Sequence, residues 1–282
     1  MAEGHHHHHH HHEGHHENHI HGHADNEAFT EANRLHWNDF ASKYSSEQWQ
    51  KDLLNAVTGF IHQHVNWIGV DFIDPSTMFE KPSPSGGTDR KVRVLDYACG
   101  PGTITHALGS RATEYVGVDL SENMVQAYNL RFNPDPNTST EADDKQDETL
   151  TAHAVVGNLL DANNPSPEPL SSPEFFNFDL VVVGLGFHHF PDIPLATARL
   201  VERLKPSGVF LILDFVTHAM DESSLVQQSK HTVAHAGFSE TELKAYFEGA
   251  GLSEFEIVRL DGEVSLRGTS RRQPFLARGR KA

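Results

Sequence analysis

The sequence predicts an α/β fold with a mostly parallel, seven-stranded sheet flanked by helices, and three observations predict it. From residue 91 onward, short apolar runs rich in β-branched residues alternate with helical stretches, the pattern of parallel strands joined by crossover helices. A small-residue turn, Ala98-Cys99-Gly100-Pro101-Gly102, follows the first run and leads into a helix. An acidic residue, Asp119, closes the second run.

The elements follow in order. Residues 1–28 are dominated by histidine, with an unbroken run from His5 to His12, and carry no apolar periodicity, so a disordered tail is expected. A purification tag, a natural low-complexity tail and a metal-binding tail all fit that composition. Residues 29–90 read as a helical cap and a linker. Leu53, Leu54, Val57, Phe60, Ile61, Val65 and Ile68 recur at three- and four-residue spacing, which makes one apolar face, and Pro, Ser and Gly crowd residues 74–90. Residues 91–282 read as the main domain. Strands are expected over 92–96, 115–119, 152–156, 180–183, 209–215, 254–259 and 274–277, with helices over 104–109, 122–131, 194–204 and 240–249. Ser239 is placed to cap the last of these helices. Two polar stretches, 133–148 and 163–173, read as surface insertions.

Composition narrows the function. No apolar run approaches the roughly 20 residues that a bilayer requires, so membrane insertion is not expected. Without the apolar core of a signal peptide near the start, a cytoplasmic or nuclear protein is expected. The formal net charge of −17 opposes binding of a polyphosphate, and Lys and Arg are scattered apart from a C-terminal group, so no nucleic acid partner is expected. Cys99 is the single cysteine, which leaves packing alone to hold the fold.

The run from Val94 to Gly102 leaves a buried strand, turns through small residues and opens a helix at Thr103. Gly100 and Gly102 admit a ligand close to the backbone, and a helix N-terminus offers N–H donors to a carboxylate or phosphate. Asp119 is placed to accept from both ribose hydroxyls of an adenosine-bearing cofactor. A nicotinamide cofactor has the same needs, so these residues alone leave two cofactors open.

Asp96-Tyr97-Ala98-Cys99-Gly100-Pro101-Gly102 resembles the D-x-A-C-G-x-G form of motif I in class I S-adenosylmethionine (SAM)-dependent methyltransferases. Val116-Gly117-Val118-Asp119-Leu120-Ser121-Glu122-Asn123-Met124 resembles the second-strand motif of that family, and Val156-Gly157-Asn158-Leu159-Leu160 its third-strand position. Phe178-Asp179-Leu180-Val181-Val182 and Phe187-His188-His189-Phe190-Pro191-Asp192 resemble the fourth strand and its loop, and Leu204-Lys205-Pro206-Ser207-Gly208 the hairpin before the fifth. Trp37-Asn38-Asp39-Phe40-Ala41-Ser42-Lys43-Tyr44 is similar to the first helix of UbiE-like (type 11) small-molecule methyltransferases. The resemblance runs from about Phe29 to the C-terminus and implies a Rossmann-like fold with SAM as cofactor. It implies cofactor contacts from Tyr44, Asp96, Ala98, Gly100, Gly102, Asp119, Leu120, Met124, Asn158 and Leu159. Three positions depart from the family pattern: Asn158 stands where Asp is usual, and Ala98 and Ser207 replace frequent glycines.

A sulfonium methyl group is already activated, so direct in-line transfer needs chiefly alignment and exclusion of water. His188 and His189 follow the fourth strand, where an imidazole either takes a proton from the acceptor or shapes the pocket. His231, His235 and Phe238 are assigned to the substrate rim. His231 and His235 are four residues apart but have no third ligand nearby, so no metal is expected. A small-molecule acceptor is the first reading. The second is a methyltransferase subunit acting with a partner protein, since the chain also resembles small fungal methyltransferases of the VapB/VipC kind. The third, a nicotinamide dehydrogenase, lacks the Gly-x-Gly-x-x-Gly loop that fold normally carries. No Asn-Pro-Pro-Tyr-like motif follows the fourth strand, where Gly184-Leu185-Gly186-Phe187 stands, and this disfavours amino methylation of a nucleic-acid base.

Overall fold

The computed structural model describes residues 19–44, 46–76, 90–135, 149–218, 231–267 and 270–282, with side chains from Asn26 onward. Seven strands form the main sheet: β1 (Arg93–Tyr97), β2 (Glu114–Asp119), β3 (Ala152–Val156), β4 (Phe178–Gly184), β5 (Leu204–Phe215), β6 (Leu252–Arg259) and, last in the chain, β9 (Pro274–Lys281). Their order is β3-β2-β1-β4-β5-β9-β6. The first five are parallel to their neighbours, whereas β9 runs antiparallel between β5 and β6. The expected fold class is therefore the observed one. The central strands are continuous apolar runs because both sheet faces are covered, and Leu180, Val181, Val182 and Val183 of β4 are wholly buried.

Helices α2 (Gln48–Ile68), α3 (Thr103–Leu108) and α4 (Glu122–Phe132) cover one face, packing Val57, Phe60, Ile61, Ile104, Leu108, Tyr128 and Phe132 into one apolar cluster. The opposite face is covered by α5 (Ile193–Val201) and α6 (Glu240–Gly249), through Ile193, Ala196, Leu200, Leu243 and Phe247. Local signals set the helix ends. Ser121 Oγ accepts from Met124 N–H at 3.1 Å to start α4, and Ser239 forms a capping box with Glu242 at the start of α6, as its sequence position predicted.

The structure departs from expectation in four places. Helix α1 (His19–Phe40) begins inside the segment assigned to the 1–28 tail, while residues 1–18 lie outside the described residues. The helical cap expected within residues 29–90 is two helices, because the chain turns through a 3₁₀ segment at Ala41–Lys43 and restarts where Glu47 and Gln50 form a capping box. Strand β5 starts at Leu204, five residues before the expected 209, since the Lys205-Pro206-Ser207-Gly208 stretch is a bulge rather than a turn outside the sheet. A hairpin of β7 (Val264–Leu266) and β8 (Ser270–Arg272) was not anticipated. Most of the insertion expected over 133–148 lies outside the described residues.

Helix α1 belongs to neither layer. Its Arg34 and Asn38 bind Glu122 at the start of α4, at 2.8 and 2.7 Å, and Asn38 Oδ1 accepts from Ser121 Oγ–H at 2.6 Å. Its Glu27 meets Asn163 of the loop after β3 at 3.2 Å, and its Trp37 ring lies edge-on to His189 with centroids 5.2 Å apart. The helix thus spans the ends of β2, β3 and β4.

Candidate active site

Strand order reverses between β1 and β4, and a cleft opens above their C-terminal ends, where open α/β sheets bind ligands. Its empty space, mouth included, is about 1010 Å³. The floor is the turn after β1, with Tyr97, Ala98, Cys99 and Gly100. One wall carries Asp119 and Leu120 from the end of β2, Met124 from the first turn of α4, and Asn158 and Leu160 from the loop after β3. The other wall carries Leu185, His189, Phe190 and Pro191 from the loop after β4. Thr30, Asn33 and Trp37 of α1, with Tyr44, close the top.

Asp119 is fixed from two sides. Its Oδ2 accepts from Gly100 N–H at 2.8 Å and its Oδ1 from Ser121 N–H at 2.9 Å, which ties the end of β2 to the turn after β1. A carboxylate oxygen can accept more than one hydrogen bond, and Asp119 lines the cleft. Burial raises its pKa to about 6, against the pull of these backbone donors. Asp96 differs. It is buried, does not line the cleft, and accepts from Thr105 Oγ–H at 2.9 Å, with Tyr128 Oη joining the same hydroxyl at 2.9 Å. Its Oδ1 has no partner, and burial lifts its pKa to about 7. Asp96 therefore holds α3 beneath the turn rather than forming part of the cleft wall.

The two glycines of the turn separate in the same way. Gly100 has φ +50°, and a Cβ built there meets nothing within 4 Å, so its backbone faces open space in the cleft. Gly102 has φ +87°, and a Cβ would stand 2.3 Å from Phe132 Cε2. Close helix packing, not ligand approach, requires glycine there. Ala98, expected to replace a glycine, does adopt φ +55°, as does Leu185 at +58° across the cleft. For L-residues each costs roughly 1–2 kcal/mol, so both ends of β1 and β4 hold strained backbone where they meet the cleft.

Tyr44 lines the cleft, and burial raises its pKa. Leu159 does not line it. Its side chain is in the core and its N–H donates to Tyr97 Oη at 3.0 Å, so Leu160 takes its place in the wall. Asn158 lines the cleft, but its Oδ1 accepts from Leu160 N–H at 2.8 Å, so it is a turn former as well as a wall residue. Cys99 lines the floor as a neutral thiol, its pKa pushed well up by burial.

The adjacent histidines have different surroundings. His188 turns away from the cleft, with Nδ1 at 2.8 Å from Oδ1 of Asp214, a carboxylate with no exposed surface at the end of β5. Asp214 also accepts from the backbone N–H of His188 at 3.0 Å and of Phe215 at 2.8 Å. His189 lines the cleft. Its Nδ1 is hydrogen-bonded to the Thr232 carbonyl, which fixes Nδ1 as the donor and leaves Nε2 as the basic atom. Burial, then the His188 ring at 4.1 Å, hold its pKa well below the ordinary value. The rim residues do not line the cleft. His188 carbonyl accepts from Ala234 and His235 N–H, His235 Nε2 meets Phe190 carbonyl at 3.1 Å, and Phe238 packs on Phe187 in the core. The segment from His231 to Phe238 thus backs the His188–His189 loop. Among the described residues no group of His, Cys, Asp and Glu is arranged to hold a metal ion, and no helix is long and apolar enough to cross a membrane.

Comparison with known proteins adds to this geometry. A family model described as a methyltransferase domain matches residues 72–256. An uncharacterized methyltransferase of Schizosaccharomyces pombe is 31% identical over 169 residues, which is 58% of this chain and 55% of that protein. The chain therefore spans about half the length of that curated relative. A SAM-dependent methyltransferase from Anabaena variabilis is similar in structure, with TM-score 0.55 and 17% identity over 90% of this chain and 95% of that one. The magnesium protoporphyrin IX methyltransferase of Synechocystis with bound SAM has TM-score 0.55 and 14% identity over 90% and 97%. At these identities the two structures share the fold with this chain.

Proposed function

Since the chain belongs to the methyltransferase-domain family, we propose that it transfers the methyl group of SAM to a small-molecule acceptor bound in the cleft above β1 and β4. Family membership also favours SAM over the nicotinamide cofactor that a glycine turn and a terminal aspartate alone would admit. The observation that carries the reading is Asp119, a cleft-lining carboxylate pinned at the end of β2 by Gly100 and Ser121 N–H groups.

The residues present fit SAM. Asp119 would accept from the ribose hydroxyls, Leu120, Met124, Asn158 and Leu160 would enclose the adenine, and Gly100 leaves open the space that a Cβ would fill. No Lys or Arg lines the cleft among the described residues, and Asp119 is its one carboxylate there, so nothing repels a sulfonium cation. When bound, SAM supplies an activated methyl group. The protein's part is to align an acceptor with it and to keep water out, which α1 does by closing the top of the cleft. His189 carries a neutral imidazole into that space, and its Nε2 is the protein's candidate proton acceptor.

The test is incubation with methyl-labelled SAM and a fractionated metabolite extract, alongside a protein lysate. Label in a small molecule is the expected result. Label confined to protein, with none in the metabolite fraction, would overturn the small-molecule reading while leaving methyl transfer intact.

A further inference from the structure

Thr30, Asn33 and Trp37 make a row on the cleft-facing side of α1. Asn33 is 5% exposed, and its Nδ2 donates to Phe29 carbonyl at 3.1 Å within the helix. This fixes the amide plane and leaves Oδ1 buried with no hydrogen-bond partner. A buried amide oxygen of this kind is costly unless something donates to it. Across the cleft His189 Nε2 likewise makes no hydrogen bond among the described residues, because Nδ1 is committed to Thr232 carbonyl. Both unmet atoms are acceptors. Around them stand Trp37, Leu185, Phe190 and Pro191, flat or apolar surfaces with no Lys or Arg among the described residues to meet an anion.

Resting on the methyl-transfer reading above, we propose that the acceptor is an uncharged, planar, largely apolar molecule carrying hydroxyl or N–H donors, received by Asn33 Oδ1 and His189 Nε2. For a hydroxyl acceptor, its oxygen lone pair forms the bond to the methyl carbon and the sulfur–carbon electron pair returns to sulfur. The hydroxyl proton goes to His189 Nε2 and is then lost to solvent. Asn33 takes a second donor and so sets which edge of the acceptor faces the methyl group. A carboxylate or phosphate in this space would leave both acceptors unmet and bury its own charge without a counter-ion.

The full chain loaded with S-adenosylhomocysteine, titrated calorimetrically with three probes of one shape, tests this. The probes are 2,7-naphthalenediol, which has one donor for each acceptor, its dimethyl ether, and 2-naphthoate. The expected result is the diol binding at least about tenfold tighter than either of the others. In Asn33→Leu, which leaves only His189 Nε2 to receive a hydroxyl, the gap between the diol and its ether should narrow several-fold, with affinity for S-adenosylhomocysteine unchanged. Equal binding of all three probes, or tightest binding of naphthoate, overturns the proposal whether or not the variant folds. A variant that folds but loses S-adenosylhomocysteine also overturns it, because Asn33 would then serve the cofactor. Failure of the native chain to bind S-adenosylhomocysteine at all would instead sink the methyl-transfer reading on which the proposal stands.

Discussion

Replacing Asp119 with asparagine tests the cofactor site most directly, because it keeps the size of the side chain and removes its charge. In the native chain both carboxylate oxygens already accept backbone N–H groups, from Gly100 at 2.8 Å and Ser121 at 2.9 Å. An amide turns one of these contacts into donor against donor, and it offers the ribose one acceptor oxygen instead of two. Hydrogen bonds to a charged group are worth about 1.5–3 kcal/mol each, so losing one or both should weaken SAM binding by about tenfold to about 10⁴-fold. The pH dependence gives a second, independent signature. Burial raises the pKa of Asp119 to about 6, and no cation offsets it. A ligand that donates to the carboxylate binds its ionised form, so affinity should be full at pH 7.5 and fall toward tenfold per pH unit below about 6. In Asp119→Asn that slope should be gone. Calorimetric titration of both proteins with SAM between pH 5 and pH 8 measures each effect. Equal affinities, or an identical pH slope in the variant, would show that the ribose lies elsewhere.

Further outcomes are expected. Gly102→Ala should lose about 2–4 kcal/mol of stability by urea unfolding, since its Cβ would collide with Phe132 at 2.3 Å. Gly100→Ala meets no neighbour but places alanine at φ +50°, so it should lose only about 1–2 kcal/mol yet bind SAM poorly, and the reverse ranking would refute the division of roles between the two glycines. Asp214→Ala strips one acceptor from His188 N–H, His188 Nδ1 and Phe215 N–H at once and should cost about 3–5 kcal/mol, read as a lowered urea midpoint; a loss under 1 kcal/mol would contradict the geometry. His189→Gln should keep SAM affinity and lower the rate of methyl transfer by about 10²–10⁴-fold if the proton goes to Nε2. Because the folded pKa of His189 lies well below 6.5, with His188 and His36 nearby, its contribution to stability is present above pH 6.5 and declines as pH falls below it; unchanged unfolding midpoints at pH 5 and pH 7.5 in a comparison of native and His189→Gln chains would argue against a buried neutral ring. Finally, deletion of residues 1–18 should leave SAM affinity unchanged, whereas deletion of residues 1–40 removes the α1 roof and the Asn38 contacts to Ser121 and Glu122 and should weaken it; equal affinities would show that α1 is not part of the site.

Much of this arrangement was legible in the sequence because strong periodic signals wrote it. All seven sheet strands fall where apolar β-branched runs predicted them, within a few residues except at the starts of β5 and β9's far end, where Lys205-Pro206-Ser207-Gly208 and Arg278-Gly279-Arg280-Lys281 are too polar to read as strand. The β7–β8 hairpin escaped because strands of three residues show no period. Asp119 and Gly100 were marked locally by a strand end and turn chemistry, whereas Ala98 and Met124 came from the resemblance to the family's motifs. Asn33 and Trp37 were missed because α1 has little apolar periodicity; their three- and four-residue spacing with Thr30 was the available signal. Asp214 was also missed, although an acid inside the apolar run from Val209 to Phe215 asks for a buried partner. Choosing between His188 and His189 was beyond the sequence, since neighbouring residues on a 3₁₀ turn point in different directions and only Asp214 and Thr232, distant in the chain, decide which ring goes where.

Helix α1 is fastened largely by polar contacts at its outer side, with Arg34 and Asn38 gripping Glu122 and Glu27 touching Asn163 at exposed positions. It is also the roof of the cleft. If the spent nucleoside leaves by lifting of that roof, its residence time is tied to breakage of the Arg34–Glu122 pair. Opening of this kind is commonly slower than chemistry, and salt screens an exposed pair. Turnover should therefore quicken with moderate ionic strength while a single round of transfer does not. Trp37, moving with the helix away from His189, supplies the optical signal by which the two can be timed separately.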